Sequence, residues 1–134
     1  MVCCRSIHKI KYFLLKTHSK KLIFKAHQIA KQEGFELKEG VYFGVTGPSF
    51  ETRAEYKLIR QLGADAVGMS TVQEVITAVH AGMEIFAISV ITDIGIREEE
   101  NTISHKDVLD AANASAPILT SLLKTMIASM ELAS

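Results

Sequence analysis

VYFGVTGPSFETRAEYKLIRQLGADAVGMSTVQEVITAVHAGMEIFAISVIT, residues 41–92, decides the fold by alternating two kinds of segment. Val41–Thr46 is apolar and β-branched and runs into Gly47-Pro48, so it reads as a strand. Thr52 and Glu55 have the spacing of a capping box and open a helix to about Leu62, which Gly63 ends. Ala64–Gly68 is a second, brief strand. Thr71 and Glu74 repeat the capping spacing and open a helix to about Ala81, stopped by Gly82. Glu84–Thr92 is a third strand, apolar on both faces as a central parallel strand should be. Strands separated by helices of this length imply βαβ crossovers and a mostly parallel sheet between layers of helices, a three-layer αβα fold.

Working outward, Ser19 caps a helix to about Glu33 with Leu22, Ala26, Ile29 and Ala30 on one face and Gly34 as its stop. Residues 93–102 read as a polar loop. Ser104 opens a long terminal helix with Val108, Ala112, Ser115, Leu119, Leu122, Met126 and Met130 along one side. Pro117 should kink or split it, because proline lacks a backbone donor and clashes one turn back. The reading gives two stretches, a basic arm at 1–18 and one domain from 19 to 134.

The 134 residues suit one domain, and 48% hydrophobic with 22% charged residues argues against disorder. No apolar run approaches the roughly 20 residues of a membrane-spanning helix. The 15 basic and 15 acidic residues cancel, which argues against nucleic acid as a partner. The balance is uneven: Arg5, Lys9, Lys11, Lys16, Lys20, Lys21, Lys25 and Lys31 precede the first acid, Glu33. Everything after them is net acidic. The arm reads as part solvated helix face and part unstructured, with contact to an acidic surface as the alternative. Cys3 and Cys4 are adjacent and can neither staple a core nor make a zinc site, so a reduced, cytoplasmic compartment is expected. Residues 1–17 lack the cleavage site of a secretory signal.

Ligands of parallel sheets bind beyond the carboxyl ends of the strands. Those ends carry Thr46-Gly47-Pro48-Ser49-Phe50-Glu51, then Gly68-Met69-Ser70-Thr71, then Thr92-Asp93. Side by side they would set Glu51, Met69, Ser70 and Asp93 around one crevice. Ser70 at a helix start suits a phosphate, whose charge meets outward N–H groups and the helix dipole. Each residue also has an ordinary reading: Thr71 as a helix cap, Glu51 and Asp93 as surface acids, Phe50 and Met69 as core.

The runs GADAVGMSTV (63–72), GPSFET (47–52) with Ala54-Glu55, and ISHKDVLDAA (103–112) resemble the trimeric purine nucleoside phosphorylases. The resemblance begins near Ser19 and reaches about Leu132. It implies phosphorolysis of purine ribonucleosides or deoxyribonucleosides to the free base and a sugar 1-phosphate. Inorganic phosphate is the co-substrate, with no metal or organic cofactor, in a homotrimer. Carried over residue by residue, Glu51 resembles the acceptor of the purine N1–H and 2-amino groups, and Phe50 the aromatic packed on the base. Val67 resembles a wall of the base pocket and Met69 the residue under the ribose. Ser70 resembles the phosphate-binding hydroxyl. Thr92 and Asp93 resemble the pair facing O6 and N7, and His105 the histidine on the ribose 5′-hydroxyl. Asp93, Glu51 and His105 are thereby the implied catalytic residues.

Many members carry Asn where this chain has Asp93. An ionised aspartate accepts and cannot donate to N7. Asp93 must therefore hold a proton there or favour a 6-amino base, as in the related methylthioadenosine phosphorylases. Those carry a second acid where this chain has Gly95, and tend to have Thr at position 70, so a 6-oxopurine is the expected base. Arg53 and Gln73 stand where proline is common in the family. The family's glycine-rich phosphate loop and Arg/His/Tyr segment have no counterpart in this sequence. The chain therefore reads as the C-terminal half of a subunit, with impaired turnover expected. The remaining alternative is a non-catalytic subunit that associates through an open sheet edge.

Overall fold

The computed structural model describes residues 2–3, 12–15, 19–96 and 104–130. Within these, seven strands and four helices follow in the order β1 (Val2–Cys3), β2 (Tyr12–Leu15), α1 (Lys20–Gln32), β3 (Lys38–Gly40), β4 (Tyr42–Gly44), α2 (Arg53–Gln61), β5 (Ala66–Gly68), α3 (Val72–His80), β6 (Ile88–Val90), β7 (Asp93–Ile94) and α4 (His105–Ala128). The α/β class expected from the alternation is the class observed.

The sheet is divided. One sheet runs β4-β5-β1-β7 and the other β3-β2-β6. β4 and β5 pair in parallel across the α2 crossover, as anticipated. The parallel pairs β1–β7 and β2–β3 are joined by two antiparallel ones, β1–β5 and β2–β6. The expected third strand is therefore corrected. Only Ile88–Val90 is extended as a ladder, and it joins the second sheet. Past Ile91 and Thr92 the chain crosses to the first sheet, where Asp93–Ile94 pairs with β1 inside the segment read as a loop. The ends of β4 and β5 are thus side by side, while Asp93 on β7 is set one strand further off, because β1 stands between β5 and β7.

The N-terminal arm is a second correction. β1 lies inside the first sheet between β5 and β7, and β2 is the central strand of the second, because backbone groups along β5, β7, β3 and β6 need partners whatever side chains supply them. β3 was also unforeseen, since Lys38-Glu39-Gly40 shows no apolar alternation.

The helices fall close to their expected bounds. The Ser19 hydroxyl accepts from the Leu22 N–H, and α1 buries Leu22, Ile23, Ala26, Ile29 and Ala30. These residues form the main core with Leu37 and with Leu122 and Met126 of α4, and Phe86, Ile88 and Val90 pack against it. The Lys25 ammonium donates to the Ser129 carbonyl at the other end of that contact. Helix α2 covers the first sheet, packing Tyr56 and Ile59 on Ala64 and Val67 with Phe43, Val45 and Ile96 around them. Pro117 does not split α4, which is one helix. Pro117 and Asn113, the residue whose carbonyl loses its partner, are both exposed, so water can satisfy that carbonyl. No helix among the described residues is long and apolar enough to cross a membrane.

The capping box of α2 is complete: the Thr52 hydroxyl accepts from the Glu55 N–H, and the Thr52 N–H donates to Glu55 Oε2 at 2.6 Å. The backbone and then the side-chain hydrogen bond of Thr52 hold the Glu55 carboxyl below its ordinary pKa. A depressed carboxyl adds stability above its unfolded pKa and loses it as the pH falls through the folded value. Glu55→Gln is therefore expected to flatten the acid limb of the melting-temperature profile. Equal acid sensitivity of the two proteins in calorimetry would refute this.

Candidate functional site

The end of β4 is extended by one rung, Val45 N–H to the Gly68 carbonyl at 3.0 Å. The chain then turns at Gly47 and descends to the Thr52 cap. Gly47 has φ +67°, which favours glycine, and a Cβ there would lie 2.6 Å from Met69 Sδ, so a side chain would push the methionine aside. This contact seats the 46–50 loop on the end of β5. Below the loop lies a hollow of about 230 Å³ lined by Phe43, Val45, Gly47, Phe50, Glu51 and Leu58, among others. Phe50 is largely exposed at its mouth. The Glu51 carboxylate is fixed from beneath: the Tyr56 hydroxyl donates to its Oε2 at 2.8 Å.

The end of β5 is strained. Thr71 has φ 78° and ψ −43°, and its side chain makes no capping hydrogen bond, so the second capping box is not formed. Instead the Val72 N–H bonds the Ser70 carbonyl at 2.9 Å, closing a three-residue turn of the rare positive-φ kind. Non-glycine residues hold such conformations mainly at binding and catalytic sites. The turn brings Ser70 Oγ and Thr71 Oγ1 within 3.2 Å of each other. The Ser70 N–H donates to the Tyr42 hydroxyl at 3.2 Å. Gly68 makes room for that tyrosine, since a Cβ there would sit 2.5 Å from its oxygen. Ser70 and Thr71 open onto a second hollow of about 350 Å³ with Glu74, Val75, Ile85 and Phe86.

The residues read from the sequence as one crevice fall on two hollows that share no lining residue, and Met69 lines neither. Phe50 and Glu51 line one, and Ser70 lines the other. Val67 lines neither; it is buried under α2. Asp93 is buried as well. Val67 and Asp93 stand in one row across the sheet, each opposite Val2, so their backbones are about two strand spacings, ~9.6 Å, apart. Thr92 is half-buried just before Asp93. His105 is the first residue of α4, and its side chain lies outside the described residues. Among the described residues no group of three or more His, Cys, Asp or Glu is placed to hold a metal.

Two residues missed by the sequence reading support the site, Tyr42 and Tyr56. A signal for Tyr56 was present. It precedes Ile59 by three positions on the apolar face of a capped helix, and a buried tyrosine hydroxyl needs a partner.

The family model described as the phosphorylase superfamily matches residues 15–128. The purine nucleoside phosphorylase of Bos taurus is 46% identical over 110 residues, covering 79% of this chain and 38% of that protein. The crystal structure of Schistosoma mansoni purine nucleoside phosphorylase in complex with inosine superposes with a TM-score of 0.89 at 25% identity. It covers 97% of this chain and 59% of that one. The isoform 2 enzyme of the same organism, solved with cytosine and ribose-1-phosphate, gives a TM-score of 0.90 at 28% identity over 98% of this chain and 59% of that one. The chain spans about two fifths of the length of the curated relatives it matches. On its matched residues and its fold, the chain belongs to the phosphorylase superfamily.

Proposed function

We propose that this chain carries the base- and ribose-recognising part of a purine nucleoside phosphorylase site, suited to 6-oxopurines. The observation that carries the reading is the Glu51 carboxylate, held by Tyr56 beside the exposed ring of Phe50. A carboxylate has about four acceptor positions, so Glu51 can still take the purine N1–H and a 2-amino group. Phe50 stacks on the base and Met69 lies under the ribose. Thr92 and Asp93 face O6 and N7, with Val67 as a buried wall behind them. His105 meets the 5′-hydroxyl, and Ser70 at its strained turn binds phosphate.

In the reaction the bond between C1′ and N9 breaks, and the sugar becomes an oxocarbenium-like cation. Phosphate on its far face stabilises that charge and then bonds to C1′. The base leaves with the bonding electrons, and Thr92 and Asp93 face the O6 and N7 side where that charge collects. Inosine bound by one relative and ribose-1-phosphate bound by another are the nucleoside and sugar-phosphate product this scheme requires. A homo-oligomer, a trimer by resemblance, belongs to the same proposal. Gly95 favours 6-oxopurines over methylthioadenosine. The second acid of the methylthioadenosine enzymes falls at this position, and here a Cβ would meet the Tyr56 ring at 2.7 Å.

The test is incubation of the chain with inosine and phosphate while hypoxanthine release is followed, with methylthioadenosine in parallel. Hypoxanthine binding with slow release from inosine, exceeding adenine release from methylthioadenosine, is expected. A preference for methylthioadenosine overturns the substrate, and absence of purine binding in calorimetry overturns the site.

A further inference from the structure

We propose that Tyr56 is a positioning residue that presets the Glu51 carboxylate for a 6-oxopurine and is itself seated by Gly95. This rests on the purine-site reading above. Tyr56 is 3% exposed, and its ring is clasped between α2 and the first sheet with Val67 and Ile59. Its hydroxyl reaches out of that packing to Glu51 Oε2 at 2.8 Å. A tyrosine has only two side-chain torsions, and packing fixes both. The glutamate it holds has three, so the bond transfers the rigidity of the core to a half-buried side chain at the hollow. Ordering Glu51 before the base arrives lowers the cost of binding.

The neighbouring acid does not compete for the tyrosine. Glu55 is occupied by Thr52, with its Oε2 2.7 Å from the Thr52 hydroxyl. Glu51 is therefore the carboxylate that Tyr56 orients.

The seat is equally specific. A Cβ at Gly95 would stand 2.7, 2.8 and 2.8 Å from Cδ1, Cε1 and Cγ of the Tyr56 ring. Those atoms belong to a rigid ring, so a side chain there must displace the ring and carry its hydroxyl off Glu51. Gly95 stands two residues past Asp93, directly after β7. Tyr56 thus connects the strand facing O6 and N7 to the carboxylate facing N1. The absence of a side chain at 95 is then part of base selection.

The test compares the full chain with Tyr56→Phe and Gly95→Ala by calorimetry with hypoxanthine and with adenine, and by the 13C resonance of the Glu51 carboxyl. Tyr56→Phe is expected to weaken hypoxanthine binding about tenfold, the scale of one hydrogen bond to a charged acceptor. Adenine, whose N1 carries no proton, is expected to change less than twofold, and the Glu51 resonance to move without any ligand. Gly95→Ala, which keeps the hydroxyl, is expected to reproduce both effects, and it decides the matter should Tyr56→Phe not fold. Equal losses for the two bases, or no loss, overturn the proposal. If the unaltered chain binds neither base, the purine reading fails. The ligand-free resonance then decides the positioning role alone: a shift in Tyr56→Phe supports it, and an unmoved signal overturns it.

Discussion

Removal of residues 1–15 is expected to abolish the cooperative thermal transition and to drive the remaining chain into oligomers. Among the described residues, β7 pairs only with β1, and β3 and β6 pair only with β2. β5 also loses the neighbour that matches Val2 to Val67 and Cys3 to Ala66. What survives is the three-residue parallel pair β4–β5. A two-stranded ribbon is marginal in water even when longer than this. Each ladder bond contributes about 0.5–1.5 kcal/mol, so losing four pairings removes a large part of a total stability of about 5–15 kcal/mol. The bared edges of β5 and of β3 and β6 are templates for other chains. Circular dichroism melts with size-exclusion chromatography check this. A monomer melting as the full chain does would show that β1 and β2 contribute nothing.

That dependence was not legible in the sequence, and the reason is physical. A strand is specified by the partners it finds across the sheet more than by its own residues. The arm's basic residues, read as a solvated face or an unstructured tail, carry no trace of those partners. Helices carry their signals locally. Ser19, Thr52 and Ser104 each cap the helix expected of them, and the inward positions of α1 match their periodicity. The failure among the caps is informative. Thr71 and Glu74 have the right spacing, but the positive φ of Thr71 removes the capping geometry. Local propensity gave way at the turn that presents Ser70, the residue proposed to bind phosphate. For the candidate site, the residues on strand ends were readable because loop and helix boundaries were. Tyr42 and Tyr56 act across the fold, and pairing of Tyr42 with Ser70, 28 positions on, leaves no mark in sequence spacing.

Substitution of Glu51 should separate two roles that one carboxylate combines. Glu51→Ala removes the proposed acceptor for the purine N1–H and the acceptor for the Tyr56 hydroxyl together. A site built to pair a substrate N–H loses orders of magnitude when that pairing goes, so affinity for hypoxanthine should fall by about a hundredfold or more. Tyr56, on a ring 3% exposed, also loses its hydrogen bond to a charged acceptor, at a cost of about 1.5–3 kcal/mol in stability. Glu51→Gln has a different signature. Its amide oxygen can still accept from Tyr56, so the melting temperature should stay near that of the unaltered chain. Its amide nitrogen then faces the base as a donor, which meets the bare N1 of adenine and opposes the N1–H of hypoxanthine. The ratio of hypoxanthine to adenine affinity is therefore expected to fall by about a hundredfold in Glu51→Gln with little loss of stability, while Glu51→Ala loses both. Calorimetric titration with the two bases and thermal melts of the three proteins measure this directly. Unchanged hypoxanthine affinity in Glu51→Ala would remove Glu51 from the site. A Glu51→Gln protein destabilised as much as Glu51→Ala would show that Tyr56 needs the negative charge and not merely an oxygen.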